Sequence, residues 1–225
     1  SALHADASQA LRRKILDAVK NVRPLQPYAS RTGTKKNLSA LRSAGWKLLV
    51  SARGCLRSEG FPYAIDNGAW TSHQQREPFC VESFERAVEK MGQSADWIVA
   101  PDIVEGGIDS LRMSTQWLPR LRPYGLTLIA VQDGIDPEQV RGVVGSDVGV
   151  FVGGSTEWKI RSLAAWASLS SETGCYLHVA RVNTARRINL CHDARADSFD
   201  GTSASRYSKT LPLLNNAARQ GQLFR

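Results

Sequence analysis

The chain has only four cysteines, Cys55, Cys80, Cys175 and Cys191, and no two of them form a CxxC pair. That scatter excludes a disulfide framework and a zinc knuckle, and it points to a reducing, cytoplasmic setting. Cys191 and His192 offer two metal-ligand types side by side, but chain neighbours seldom converge on one ion; neither a metal nor a cofactor is expected. No apolar run approaches the roughly 20 residues that span a bilayer, so no membrane partner is expected. The N-terminal "SALHADASQALRRKILDAVK" is amphipathic and charged, the pattern of a helix and not of a signal peptide. No internal repeat, low-complexity tract or linker divides the 225 residues. A single domain over 1–225 is expected, with 1–24 as a helical extension.

What is abundant is positive charge. Hydrophobic residues make up 42% and charged residues 22%, an ordinary globular balance, yet the formal net charge is +8 and the pI about 9.6. Such an excess favours polyanionic partners, because each Lys or Arg placed on a phosphate releases a counterion. Basic residues gather at "RTGTKK" (31 to 36), at "RRINL" from Arg186 and at "SRYSK" from Ser205. Lys35, Lys36, Arg186, Arg206 and Lys209 are the candidates for a nucleic-acid backbone. A merely soluble basic surface would have the same composition.

Apolar runs alternate with helical patterns along most of the chain. Strand-like runs occur at "LQPYAS", "WKLLVSA", "YAIDNGA", "WIVAPD", "LTLIAVQDG", "VGVFVGG", "CYLHVARV" and "DSFDGTS". Segments of helical period between them include "VESFERAVEKMG", "IDSLRMSTQWLPRLRPYG", "DPEQVRGVVG" and "EWKIRSLAAWASLSSETG". Asp136-Pro137 reads as a helix start, and Gly125 and Gly174 as helix stops. Between "WKLLVSA" and "YAIDNGA" a loop is expected, over about 52 to 62. Strands that are apolar throughout and separated by helices imply a parallel sheet covered on both faces. Eight of them predict an α/β fold, a compact (β/α)8 barrel.

Polar residues fall at the C-terminal ends of these strands: Asp66 in "YAID", Asp102 in "WIVAPD", Gln132 in "LIAVQ", Gly153-Gly154 in "VGVFVGG", and Asp200 in "SFDG". A barrel gathers such ends at one mouth, where active sites are built. Any one Asp at a strand end reads equally as a turn or cap acid, and Asn67-Gly68 is itself a favoured turn pair. Converging carboxylates are costly for stability alone. Asp197, just before "SFD", reads as a cap or turn acid. Asp133 and Glu105 are loop acids beside the same mouth. His178 reads either as a core histidine or as a residue of the mouth, to which Arg181 and Asn183 on the same segment also lead.

The order "DNGAW … APD … VQDG … VGG … HVARVNT … FDGTS" resembles the tRNA-guanine transglycosylase family over about residues 25 to 205. Its "HVARVNT" string is similar to the 7-deazaguanine DNA-modifying branch of bacteria and phages. The resemblance implies a base exchange in which an Asp attacks C1′ of the target guanosine, guanine leaves, and a 7-deazaguanine replaces it. On the matching positions Asp200 is the nucleophile and Asp66 the general acid/base. Asp102, Gln132, Gly153 and Gly154 read guanine's hydrogen-bonding edge, Trp70 stacks on the base, and His178 joins the base-binding set. The implied partners are DNA or tRNA and a free 7-deazaguanine base such as preQ0 or preQ1, in a bacterial or phage-infected cell. Two departures stand out. The tRNA enzymes carry a zinc site of three Cys and one His that this sequence lacks, which favours DNA over tRNA. Gly201 follows the nucleophile where the tRNA enzymes have Cys.

Two other classes fit the same residues. One is an N-glycosidase that uses the two acids and water. The other is a non-catalytic nucleic-acid-binding subunit that works with a partner. A homodimer or a partner subunit is compatible with each reading.

Overall fold

Apolar side chains on both faces of each strand suit a sheet wrapped by helices, and the eight runs close into one parallel barrel. The computed structural model describes residues 24–30, 34–206 and 209–220. The helix expected in the N-terminal extension lies outside the described residues. In chain order the strands are β1 (Gln26–Ser30), β2 (Lys47–Ser51), β3 (Tyr63–Asp66), β4 (Ile98–Val99), β5 (Thr127–Val131), β6 (Val148–Val152), β7 (Leu177–Val179) and β8 (Ser198–Gly201). Each pairs with its sequence neighbours, and β8 returns to β1 through Tyr28 opposite Asp200. The helices are α1 (Lys35–Ser43), α2 (Ala69–Gln75), α3 (Val81–Met91), α4 (Gly107–Leu121), α5 (Thr156–Thr173), α6 (Ala185–Asp193), α7 (Ser203–Arg206) and α8 (Leu211–Gln220). The expected (β/α)8 barrel is the observed fold.

Alternation along the strands makes two cores. Tyr28, Leu49, Ala64, Trp97, Val99, Leu128 and Ala130 fill the barrel interior. Val50, Ile65, Ile98, Ile129, Val150, Val152, Leu177, Val179 and Phe199 face outward into the layer shared with the helices. Trp97 is the interior plug: Tyr28 meets it edge-on at 5.1 Å and the His178 ring lies 4.7 Å away. Truncating so large a buried ring costs about 3–5 kcal/mol. Space is tight at Gly149 on β6, where a Cβ would sit 2.6 Å from both Leu128 and the Tyr176 carbonyl.

One predicted helix is corrected. The segment "DPEQVRGVVG" forms only a short 3-10 turn, Pro137–Gln139. Its start signal works, since the Asp136 carboxylate and the Gln139 amide make a reciprocal capping box. Continuation fails because Gly142 and Gly145 flank two β-branched valines, a run of weak helix formers. The loop expected between β2 and β3 is present, and Gly174 ends α5 in the left-handed conformation at φ 70°.

Candidate active site

The strand ends deliver three carboxylates to the mouth. On β3, Ala64 and Asp66 turn to the barrel axis while Ile65 faces the helices. Burial and the like charges of Asp200 and Asp102 push the Asp66 carboxyl up to about 7. Burial also raises Asp102, to about 6, against the opposing hydrogen bond from Asn67. That Asp66 feels both other acids marks the three as one cluster.

Asn67 is the clasp of the "YAIDNGAW" turn. It is 2% exposed; its Nδ2 donates to Asp102 Oδ1 and to the Ala100 carbonyl, each at 2.7 Å, and its Oδ1 accepts from the Ala69 N–H at 2.8 Å. The end of β3 thereby fixes the acid that follows β4. Gly68 has φ 85°, and a Cβ there would lie 2.6 Å from the Arg53 side chain, so both conformation and space call for glycine. Trp70 stands in the first turn of α2, 42% exposed, with its ring stacked on His73 and under the Arg181 guanidinium at 4.5 Å.

Asp200 on β8 is 6% exposed. Its Oδ1 accepts from His178 Nε2 at 3.0 Å and from the Arg181 backbone N–H at 3.2 Å. Among the described residues, no group bonds its Oδ2. His178 Nδ1 meets the Ser198 hydroxyl at 2.7 Å, and its ring stacks on Phe151 at 4.8 Å. Burial lowers the His178 pKa, and the hydrogen bond and charge of Asp200 oppose that. A neutral ring that donates from Nε2 and accepts at Nδ1 satisfies both partners. Gly201 follows without room for a side chain: a Cβ would lie 2.3 Å from the Val182 carbonyl. The departure at this position therefore has a packing cause.

Two base-binding expectations are corrected here, and the neighbouring candidates have their own partners. His178 was expected to touch the base, but it is 0% exposed beneath Asp200 and acts on that carboxylate instead. Gln132 was expected to read the base edge; its Nε2 donates to the Ile103 carbonyl and its Oε1 accepts from the Glu105 N–H, both at 2.7 Å, so its amide pins the β4–α4 loop. Asp133 accepts from the Ser155 N–H and hydroxyl at the start of α5. Asn183 accepts from the Ser203 N–H. Asp197 sits at the opposite, N-terminal end of β8, holding the Leu177 N–H at 2.8 Å. Cys191 and His192 are buried against α8, with His192 Nε2 on the Ala217 carbonyl. Among the described residues, no group of three His, Cys, Asp or Glu side chains is arranged to hold a metal ion.

The five basic candidates fall in one sector. Lys35 and Lys36 open α1 after β1, Arg186 lies in the first turn of α6 after β7, and Arg206 and Lys209 follow β8. β7, β8 and β1 are adjacent in the barrel, so all five flank the Asp200 strand on the mouth side. All are exposed, and none has an ion-pair partner among the described residues. Neither α1 nor α6 has an acid in its first turn. Cations there oppose the helix dipole, at about 0.3–1 kcal/mol each, an arrangement that a bound polyanion reverses.

Lys159 was missed by the sequence reading. It is 7% exposed, its Nζ donates to the Ala180 carbonyl at 2.5 Å, and burial, with Arg181 nearby, lowers its pKa to about 8. The signal was its place on the buried stripe Lys159, Leu163, Trp166 of α5, at helical spacing. It braces the turn that presents Arg181 to Asp200.

No protein-family model and no curated protein sequence matches this chain. Solved structures share its fold. Tryptophan synthase from M. tuberculosis superposes with a TM-score of 0.53 at 14% identity, over 93% of this chain and 96% of its own. A putative fructose-1,6-biphosphate aldolase from Coccidioides immitis gives 0.58 at 10% identity, over 92% and 89%. The aldolase QR15 gives 0.52 at 12%, over 85% and 96%. At such identities the likeness is one of fold alone. No helix among the described residues is long and apolar enough to cross a membrane.

Proposed function

We propose that the chain is a base-exchange transglycosylase that replaces guanine in a nucleic acid with a 7-deazaguanine, acting on DNA ahead of tRNA. The observation that carries this reading is the divided carboxylate of Asp200, with Oδ1 held by two donors and Oδ2 unengaged among the described residues. An oxygen fixed in position with its lone pairs free suits attack on C1′.

In the first step Oδ2 forms a bond to C1′ as the C1′–N9 bond breaks, and the electron pair leaves on guanine. Asp66, with its pKa raised to about 7, supplies the proton that the departing base takes up. In the second step the incoming 7-deazaguanine gives its N9 proton to Asp66, N9 bonds to C1′, and the ester oxygen returns to Asp200. Guanine's N1–H and N2–H₂ donors meet Asp102 and the carbonyl of Gly154, and Trp70 stacks on the base for about 1–3 kcal/mol. Gln132 serves indirectly, holding the loop beside Asp102. The exposed sector of Lys35, Lys36, Arg186, Arg206 and Lys209 takes the phosphates. A duplex target must present its base flipped out of the stack.

The test is incubation with labelled guanine or preQ0 and duplex DNA, single-stranded DNA or tRNA. Label should enter DNA with the native protein and not with Asp200→Ala, and denatured native protein should retain a sugar adduct at Asp200. Label in neither polymer, across varied sequences, overturns the reading. Release of guanine without incorporation marks the hydrolytic alternative.

A further inference from the structure

The Arg181 guanidinium bridges the barrel mouth. It leaves β7, donates through Nη2 to the Gly154 carbonyl after β6, and lies 4.5 Å from the centre of the Trp70 ring beyond β3. β3 and β7 are four strands apart in the eight-stranded ring, hence on opposite sides. The backbone of Arg181 is left-handed at φ 57°, a conformation that non-glycine residues seldom adopt. It is held there by its N–H on Asp200 Oδ1, by the Val182 N–H on the Asp200 carbonyl at 2.6 Å, and by Lys159 on the preceding carbonyl. Strain kept by so many contacts is characteristic of functional positions.

The two groups that Arg181 occupies are those assigned above to the base. Guanine contains a guanidine unit, N1–C2(N2)–N3, which is planar and presents N–H donors along one edge. Arg181 offers the same fragment: a flat face to Trp70 and an N–H to Gly154. A base cannot lie on that face of Trp70 while the guanidinium stands at contact distance. We infer that Arg181 is an internal competitor for the guanine site: its guanidinium fills the place of the base's guanidine edge and leaves when a base binds. This inference rests on the guanine reading. It adds that the site is selective for a guanidine-bearing base, and that its own side chain competes for the position.

The experiment is calorimetric titration of guanine and adenine into native protein, Arg181→Ala and Arg181→Gly, the last because glycine adopts the left-handed backbone without strain. Removing one cation–π contact and one hydrogen bond that the base must displace should tighten guanine binding by roughly 5- to 20-fold. Adenine lacks the guanidine edge and has only the freed Trp70 face to gain, so it should tighten by less than guanine does. Unchanged or weaker guanine binding in both variants overturns the inference and leaves the guanine reading standing. An equal gain for adenine reduces Arg181 to a steric cover and also overturns it. Failure of native protein and both variants to bind guanine removes the guanine reading, and the inference with it.

Discussion

His178 Nε2 and Asp200 Oδ1 lie 3.0 Å apart on neighbouring strands, and the histidine is sealed from solvent beneath the acid. The pair divides one carboxylate into a held oxygen and an open one. The carboxylate only accepts, so it places the ring proton on Nε2, and the Ser198 hydroxyl donates to Nδ1 from behind.

If His178 positions the nucleophile, its loss should lower the chemical rate and leave base binding alone. A hydrogen bond to a charged group contributes about 1.5–3 kcal/mol, so His178→Leu should cut single-turnover exchange roughly 10- to 100-fold. His178→Gln keeps an N–H donor and should recover part of that loss. Stopped single turnovers, with guanine affinity measured beside them, check the split. A change in affinity with no change in rate would return His178 to the base-binding set.

Asp66 makes a pH prediction with a definite sign. Its folded pKa of about 7 lies above its ordinary 3.8, so the folded protein holds a proton there that the unfolded chain has lost. Stability therefore falls as pH rises from near 3.8 to about 7, and the full penalty is present above that range. Asp66→Asn should raise Tm above neutral pH, and the difference should close as pH falls toward 3.8. The same substitution should abolish exchange at every pH, with kcat lost and folding retained. Thermal melts across pH, paired with turnover, check both halves.

The barrel was legible because its strands are apolar on both faces and regularly punctuated, and the mouth because Asp66, Asp102 and Asp200 each end such a run. Side-chain direction was not legible. Gln132 stands at a strand end like the acids, yet its amide is consumed by backbone groups of a neighbouring loop. No local pattern in the sequence records such a non-local hydrogen bond. His178 posed the same problem: alternation puts it on one face, but only closure of the barrel shows that Asp200 lies above it. Asp136 gave a true cap and a false helix, because capping fixes a start and propensity decides the length.

Gly201 tests whether packing explains the residue beside the nucleophile. A Cβ would lie 2.3 Å from the Val182 carbonyl and 2.9 Å from Asn183 Oδ1, against backbone that itself bonds Asp200. Gly201→Ala should cost about 1–3 kcal/mol, the range for overpacking a tight site, and Gly201→Cys more. Each should also reduce exchange, since the β7 turn carries the Arg181 N–H donor to Asp200. Chemical denaturation checks the stability loss; a Gly201→Cys protein of native stability would show that the turn yields.

The basic sector yields a prediction in salt. Lys35, Lys36, Arg186, Arg206 and Lys209 flank the strand of Asp200 from three adjacent strand ends, and none is neutralised by a described acid. Each phosphate contact contributes about 0.9 to the slope of log affinity against log salt on duplex DNA. Replacing Lys35 and Lys36 with Gln should lower that slope by about 2 if both touch phosphate, and Arg186→Gln by about 1. Binding should weaken evenly across DNA sequences, because backbone contacts carry no base information. Affinity for free guanine should stay constant, since these side chains lie outside the pocket. Slopes measured with native protein and each variant separate phosphate contact from general surface charge, because a distant cation such as Arg112 on α4, already paired with Asp109, should leave the slope unchanged when replaced.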